Sequence, residues 1–142
     1  MKSLLLIVAI CFNMYAANID EFANETGFQR DFKVAIEKAK EANKPLMMVL
    51  SADFCPWCRK FERKTLNSNL IKTILDKDII TLVVDKKFDK DSFPDEFQTS
   101  MTPRVFFINP YSEKSFFQTA GYIKKSDFKK KIEDMQNISK GK

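Results

Sequence analysis

From residue 28 onward the hydrophobic positions fall into two recurring patterns, one with helical spacing and one of short unbroken runs. Phe28, Phe32, Ile36 and Ala39 recur at helical spacing, with Val34 and Ala35 widening the stripe and charged residues between them, which predicts an amphipathic helix. Asn43-Lys44-Pro45 ends it, because proline restricts the residue before it and cannot continue the hydrogen-bond ladder. Leu46-Met47-Met48-Val49-Leu50 is then an apolar run of strand length, the pattern of a strand buried on both faces. It leads through Ser51-Ala52-Asp53-Phe54 into Cys55-Pro56-Trp57-Cys58 and a charged, helix-compatible stretch, residues 59–64. Asn67-Ser68 breaks and re-caps the chain, and Leu70, Ile71, Ile74 and Leu75 mark a further helical segment.

Residues 79–84 form a second buried strand by the same criterion, followed by a polar loop over 86–91. Ser92-Phe93-Pro94-Asp95 resembles the capped start of a short helix running to about residue 100. Arg104-Val105-Phe106-Phe107-Ile108 reads as a strand, 109–114 as a turn and 115–119 as its antiparallel partner, after which Gly121 breaks the pattern. Phe128, Ile132 and Met135 define one face of a closing helix that begins near Ser126, whereas residues 18–26 lack a period and read as a leader or short edge strand. Helix-separated strands imply parallel neighbours, and the tight turn at Asn109-Pro110 imposes an antiparallel pair. The expectation is an α/β fold with one mixed sheet flanked by helices on both faces, in a single domain over residues 28–138.

The first residues bear on compartment. Met1-Lys2-Ser3 precedes an apolar stretch, residues 4–12, too short to span a bilayer but suited to a signal-peptide core. Residues 1–16 are therefore expected to be a cleaved signal peptide, with Ala16 and Ala17 at the cut and 17–27 as an N-terminal leader. The competing reading makes 1–16 a first core strand or an uncleaved anchor. A lipid anchor on Cys11 is not expected, since Ile10 stands where a lipoprotein signal wants a small residue. The C-terminal tail, 139–142, carries no endoplasmic-reticulum retention signal, so the expected location is periplasmic or secreted.

Composition narrows the chemistry. The chain has 142 residues and no histidine, which removes histidine general acid/base catalysis, histidine-dependent nucleophile pairs and the common histidine zinc sites. Its net charge of +5 comes from 24 basic and 19 acidic residues. The densest basic stretch, Lys124-Lys125 and Lys129-Lys130-Lys131, is interrupted by Asp127 and Phe128 and followed by Glu133 and Asp134, so it reads as a solvated helix face. The 14 phenylalanines fall mostly at core positions, and no nucleic-acid partner is expected.

The remaining candidate is Cys55-Pro56-Trp57-Cys58, a spacing compatible with half a zinc site, half an iron-sulfur site, a structural bridge or a redox dithiol. A closed zinc site wants four ligands, and without histidine or a second cysteine pair none is in view; neither metal nor cofactor is expected. A bridge between residues three apart closes almost no loop, so it makes a poor structural staple. Position favours redox chemistry. Cys55 stands at a helix N-terminus, where free backbone N–H groups and the helix dipole favour a thiolate, and Pro56 suits the first helical position. Arg59 and Lys60 add positive charge nearby, while Asp53 opposes it.

Ala52-Asp53-Phe54-Cys55-Pro56-Trp57-Cys58 after a buried strand, with Thr102-Pro103 before a strand hairpin, resembles the thioredoxin superfamily over about residues 28–138. The chain resembles small exported thioredoxin-related proteins and the C-terminal domain of DsbD-type electron transporters, and the context of Asp53 resembles the latter. The resemblance implies that Cys55 is the nucleophile and Cys58 the resolving thiol. It also implies that Pro103 is cis and packs beside the cysteine pair, and that Thr102 offers backbone hydrogen bonds to the bound substrate. Pro103, Pro56 and Trp57 are expected to border the same substrate site, although the Trp57 ring between the cysteines could equally be a packing residue. One departure stands out: where thioredoxin carries a buried acid six residues before the nucleophile, this chain has Val49. Glu62, one turn beyond Cys58, is the candidate replacement, although on a charged helix it reads first as a solvated partner for lysine or arginine.

The function expected is that of an exported, monomeric thiol-disulfide oxidoreductase acting on protein thiols and disulfides. Reduction of substrates is preferred, with electrons from a membrane partner of the DsbD type. The alternatives are a disulfide donor or isomerase, and a chaperone or assembly factor of the same fold that binds clients without turnover.

Overall fold

The computed structural model describes residues 19–141, so the expectations for residues 1–16 and for Cys11 lie outside the described residues. The elements run in the order α1 (Ile19–Thr26), α2 (Phe32–Ala42), β1 (Leu46–Ser51), α3 (Pro56–Phe61), a π-helical turn (Glu62–Leu66) and α4 (Asn69–Asp78). β2 (Ile80–Asp85), a 3-10 turn (Asp95–Phe97), β3 (Arg104–Ile108), β4 (Ser115–Ala120) and α5 (Lys125–Lys140) follow. The four strands form one sheet in the order β2-β1-β3-β4. β1 pairs in parallel with β2, from Leu46 opposite Ile80 to Ser51 opposite Asp85, and antiparallel with β3. β3 and β4 form the antiparallel hairpin.

The unbroken apolar run of β1 is explained by burial on both faces, since strand side chains alternate between the two sides of a sheet. Met47 and Val49 join one cluster with Phe61, Leu66, Phe128 and Ile132, while Leu46, Met48 and Leu50 join another with Phe32, Ile36 and Phe97. The helices therefore lie on both faces, as the pattern predicts. Phe61 meets Phe128 edge to face at 5.2 Å between centroids, which seats the helix carrying the cysteines against α5.

Several boundaries differ from the sequence expectation. Residues 19–26 form a helix, not a leader or edge strand, because Ile19, Phe22 and Ala23 bury one face although the segment is only two turns long. Edge pairing occurs later, at Gln29, whose N–H donates to Thr81 O at 2.8 Å. α2 starts at Phe32 and not Phe28, because Asp31 caps it by accepting the Val34 N–H at 2.9 Å. Phe28 packs instead on Phe22, and Val34 is exposed. The helix expected to run from 92 to 100 shrinks to the 3-10 turn, which has no side-chain cap. Among the described residues no helix is long and apolar enough to cross a membrane.

Candidate active site

The site sits where the chain leaves β1. Asp53 N–H donates to Asp85 Oδ2 at 3.1 Å, which ties the outgoing loop to the end of the neighbouring parallel strand. Phe54 then adopts a left-handed φ of 54° with its ring 99% exposed. That turn sets Cys55, in extended backbone geometry, as the N-cap of α3, with Pro56 as the first helical residue. Proline lacks an N–H where a helix would leave it unsatisfied, so the local sequence and the geometry agree.

Cys55 and Cys58 are joined as a disulfide with their Cα atoms 5.2 Å apart. Cys55 Sγ also accepts the Cys58 N–H at 3.2 Å, and in the reduced protein the same donor would stabilise a thiolate. Burial distinguishes the two sulfurs: Cys55 is half-buried, whereas Cys58 is 0% exposed. Only Cys55 can meet a disulfide arriving from solvent.

The 102–103 segment reaches the same sulfur. The Thr102-Pro103 peptide is cis, Pro103 is buried, and its carbonyl accepts the Gly121 N–H at 2.8 Å. Thr102 Oγ1 lies 3.5 Å from Cys55 Sγ and Thr102 O lies 3.8 Å from it. A disulfide sulfur has no proton to give, so in this state the threonine hydroxyl is the donor. Trp57 is 57% exposed at the lip of the site and faces Tyr122 with ring centroids 5.9 Å apart. The helix start and the loop that carries Thr102 thus bring Cys55, Pro56, Trp57, Cys58, Thr102 and Pro103 to one end of the sheet.

Glu62 corrects the expectation of a solvated carboxylate. It is 3% exposed, and its Oε1 accepts from Ser51 Oγ and from Arg59 Nη2, each at 2.9 Å. Arg59 Nη2 also donates to Ser51 Oγ at 2.7 Å, closing a compact polar cluster beneath the cysteine pair. Burial pushes the Glu62 carboxyl above its ordinary value, against the opposing pull of Arg59, the Ser51 hydroxyl and Arg63. Cys58 and Glu62 are one helical turn apart, so both lie on the inward face of the helix. The π turn begins at Glu62, whose carbonyl accepts from Asn67 N–H at 2.9 Å. Thr65 Oγ1 pins it to Ile123 O at 2.6 Å. Val49 packs with Phe61 in the apolar cluster, so β1 brings no carboxylate to this face.

A solvent-facing sulfur, a buried sulfur three residues on and a threonine beside the first define a dithiol/disulfide exchange centre, and the molecule is a thiol-disulfide oxidoreductase with a thioredoxin fold. The sequence profile of the thioredoxin-like domain matches residues 32–136, and the chain belongs to that family. Among solved structures it is similar to a thioredoxin from Thermus thermophilus, with 14% identity, 76% of this chain and 85% of that one covered, and a TM-score of 0.67. It is similar to a DsbH oxidoreductase, with 20% identity, 75% and 81% covered and a TM-score of 0.59. The oxidised C-terminal domain of DsbD from Neisseria meningitidis gives 18% identity, 75% and 97% covered and a TM-score of 0.57. At these identities the likeness is one of fold. No curated protein sequence matches significantly.

Sequence reasoning passed over Ser51, Asp85 and Tyr122, which the fold brings against Glu62, Asp53 and Trp57 respectively. For Glu62, named from the sequence but read first as solvated, the signal for burial is its spacing: Cys58, Phe61, Glu62 and Thr65 recur at helical intervals, and the structure buries the whole stripe.

Proposed function

We propose that the protein reduces disulfides in exported proteins, and that Glu62 takes the proton from the resolving cysteine. The observation that carries the proton-transfer part of this reading is the buried Glu62 carboxyl one turn from the buried Cys58, beneath an accessible Cys55; the reducing direction rests on the family resemblance. In the reduced protein the Cys55 thiolate attacks one sulfur of the substrate disulfide, forming a mixed disulfide and releasing the first substrate thiolate, which takes a proton from water. Glu62 accepts the proton of Cys58, whose thiolate attacks Cys55 Sγ. The mixed disulfide breaks, the second substrate sulfur leaves as a thiolate and is protonated, and the Cys55-Cys58 disulfide remains. Two electrons pass from the cysteine pair to the substrate, whose two protons come from water, and Glu62 returns to water the proton it took from Cys58. A carboxyl raised towards neutrality by burial suits this transfer better than an ordinary surface glutamate. Thr102 and cis-Pro103 hold the attacked segment beside Cys55, and Trp57 forms one wall.

The compartment follows from the signal-like pattern of residues 1–16, and an oxidising compartment demands a donor of electrons. A membrane-bound dithiol partner of the DsbD type, which restores the Cys55/Cys58 dithiol, fills that role. The reduction potential tests the direction: the protein is equilibrated in graded dithiol/disulfide buffers and free thiols at Cys55 and Cys58 are counted. A value near the roughly −270 mV of thioredoxin supports the reductase, and one near the roughly −120 mV of DsbA makes the protein a disulfide donor instead. Replacing both cysteines by serine separates catalysis from client holding. Biological activity that survives the double substitution overturns the enzymatic reading.

A further inference from the structure

Two lysines beside the site rest on aromatic rings instead of pairing with carboxylates. Lys60 Nζ lies 5.0 Å from the Trp57 ring centroid and 4.7 Å from that of Tyr122. Lys87 Nζ lies 5.5 Å from the ring centroid of Phe88, which is itself exposed. Both lysines are exposed, and among the described residues neither forms a salt bridge.

The fold sets them on opposite sides of Cys55. Lys60 belongs to α3, whose partner ring Tyr122 follows β4, on the β3-β4 side of the central strand. Lys87 follows β2 on the other side, where Asp85 Oδ1 accepts the Lys87 N–H at 2.7 Å and the Phe88 N–H at 2.8 Å. The other oxygen of Asp85 holds Asp53, two residues before the nucleophile, so the lysine turn is docked on the active-site loop. Nearby acids are already engaged: Glu62 by Arg59, Asp89 by Arg30, and Asp85 by backbone amides. Asp53, half-buried, and Asp91, exposed four residues beyond Lys87, offset part of the positive charge. A lysine on an aromatic face keeps most of its charge directed outward and is held in place by the ring quadrupole.

We propose that Lys60 and Lys87 form a two-sided cationic rim that selects protein segments in which acidic residues flank the reactive cysteine. This rests on the reductase reading and deepens it by naming the substrate class. Trp57 and Phe88 supply apolar contact beneath each charge, so the fitting partner is an extended segment with an acidic residue on each side of its disulfide cysteine, adjacent to apolar ones. Such complementarity acts mainly on encounter and is weakened by salt.

The test uses the pre-reduced protein as its own electron source, in single turnover against two peptides with an identical internal disulfide. One peptide has glutamates flanking each cysteine and the other has lysines, and opening of the disulfide is followed by fluorescence dequenching. At low ionic strength the glutamate peptide is expected to react about tenfold faster, an advantage that shrinks as salt rises. In the K60Q/K87Q double variant the ratio is expected to approach one. Equal rates for the two peptides, or a preference unaffected by the double substitution, overturn the cationic rim while leaving the reductase standing. Reaction with neither peptide overturns the reductase reading and the rim together.

Discussion

Ser51 Oγ donates a 2.9 Å hydrogen bond to Glu62 Oε1, joining the last residue of β1 to the first residue of the π turn. Both partners are buried, and the Arg59 guanidinium, itself mostly covered, completes the cluster. A carboxylate buried without such partners would be strongly disfavoured, and one fully neutralised would be useless as a base. Ser51 and Arg59 lie between these limits: they stabilise the ionised form while burial keeps its proton affinity high. The chain thus obtains an inward-facing acid from the helix, at a level of the fold where its central strand offers Val49.

The first consequence concerns the second chemical step. In Glu62→Gln the hydrogen bonds with Ser51 and Arg59 can be kept, but the proton acceptor is gone. Attack on the substrate by Cys55 should proceed near its normal rate, while resolution of the mixed disulfide slows by about a hundredfold at neutral pH. Acid quenching followed by intact-mass measurement should show the mixed disulfide accumulating in the variant and not in the parent. The deficit should narrow at alkaline pH, where Cys58 ionises without assistance.

The same residue leaves a signature in stability. Because burial raises the folded-state affinity of Glu62 for its proton, the folded protein holds that proton over a range where the unfolded chain has lost it. The contribution is therefore fully present below the ordinary glutamate value of 4.5 and is lost as pH rises through the raised folded value. Urea midpoints measured from pH 4 to 8 should show Glu62→Gln gaining stability relative to the parent as pH increases across that window. A constant offset from altered pairing with Arg59 would not mimic this slope.

Much of this arrangement was legible in the sequence because it rests on local patterns. The apolar run of β1 and the C-x-x-C after it fixed the strand-to-helix junction, and the strand from Arg104 to Ile108 emerged with its observed bounds. Thr102 could be connected to Cys55 only through resemblance, since a contact across 47 residues leaves no periodic trace. Glu62 misled because its neighbours Arg59, Lys60, Arg63 and Lys64 make the helix look solvated, whereas its burial depends on the π turn and on Ser51 from another element. The helix α1 was missed for the converse reason: two turns give too few residues to establish a period, and its burial is tertiary.

Phe54 carries a backbone cost that a substitution can remove. Its φ of 54° is unfavourable for a bulky side chain, and its ring, 99% exposed, gains nothing from packing in the free protein. Asparagine accepts the left-handed region more readily, so Phe54→Asn should raise stability by about 1 kcal/mol. The urea midpoint should increase with no change in slope, because no buried surface is altered. A lower midpoint would show that the strained turn is not where the ring's cost lies.

Asp85 offers a sharper dissection, because its two oxygens serve different segments. Oδ1 accepts from Lys87 and Phe88 N–H, while Oδ2 accepts from Asp53 N–H at 3.1 Å, and the side chain is almost fully buried. Asp85→Ala removes all three acceptor contacts and should cost about 2 to 4 kcal/mol, given the expense of stripping partners from buried polar groups. Asp85→Asn retains one carbonyl oxygen, which can still serve Lys87 and Phe88, but turns an amide NH2 towards the Asp53 N–H, setting donor against donor. Hydrogen exchange read residue by residue should therefore show the Asp53 amide deprotected in both variants, and the Lys87 and Phe88 amides deprotected only in Asp85→Ala. Because the Asp53 contact holds the loop that presents Cys55, both variants should also raise KM for a protein disulfide more than for a small-molecule disulfide. A uniform loss across all three amides in Asp85→Asn would mean that the turn and the active-site loop move as one unit.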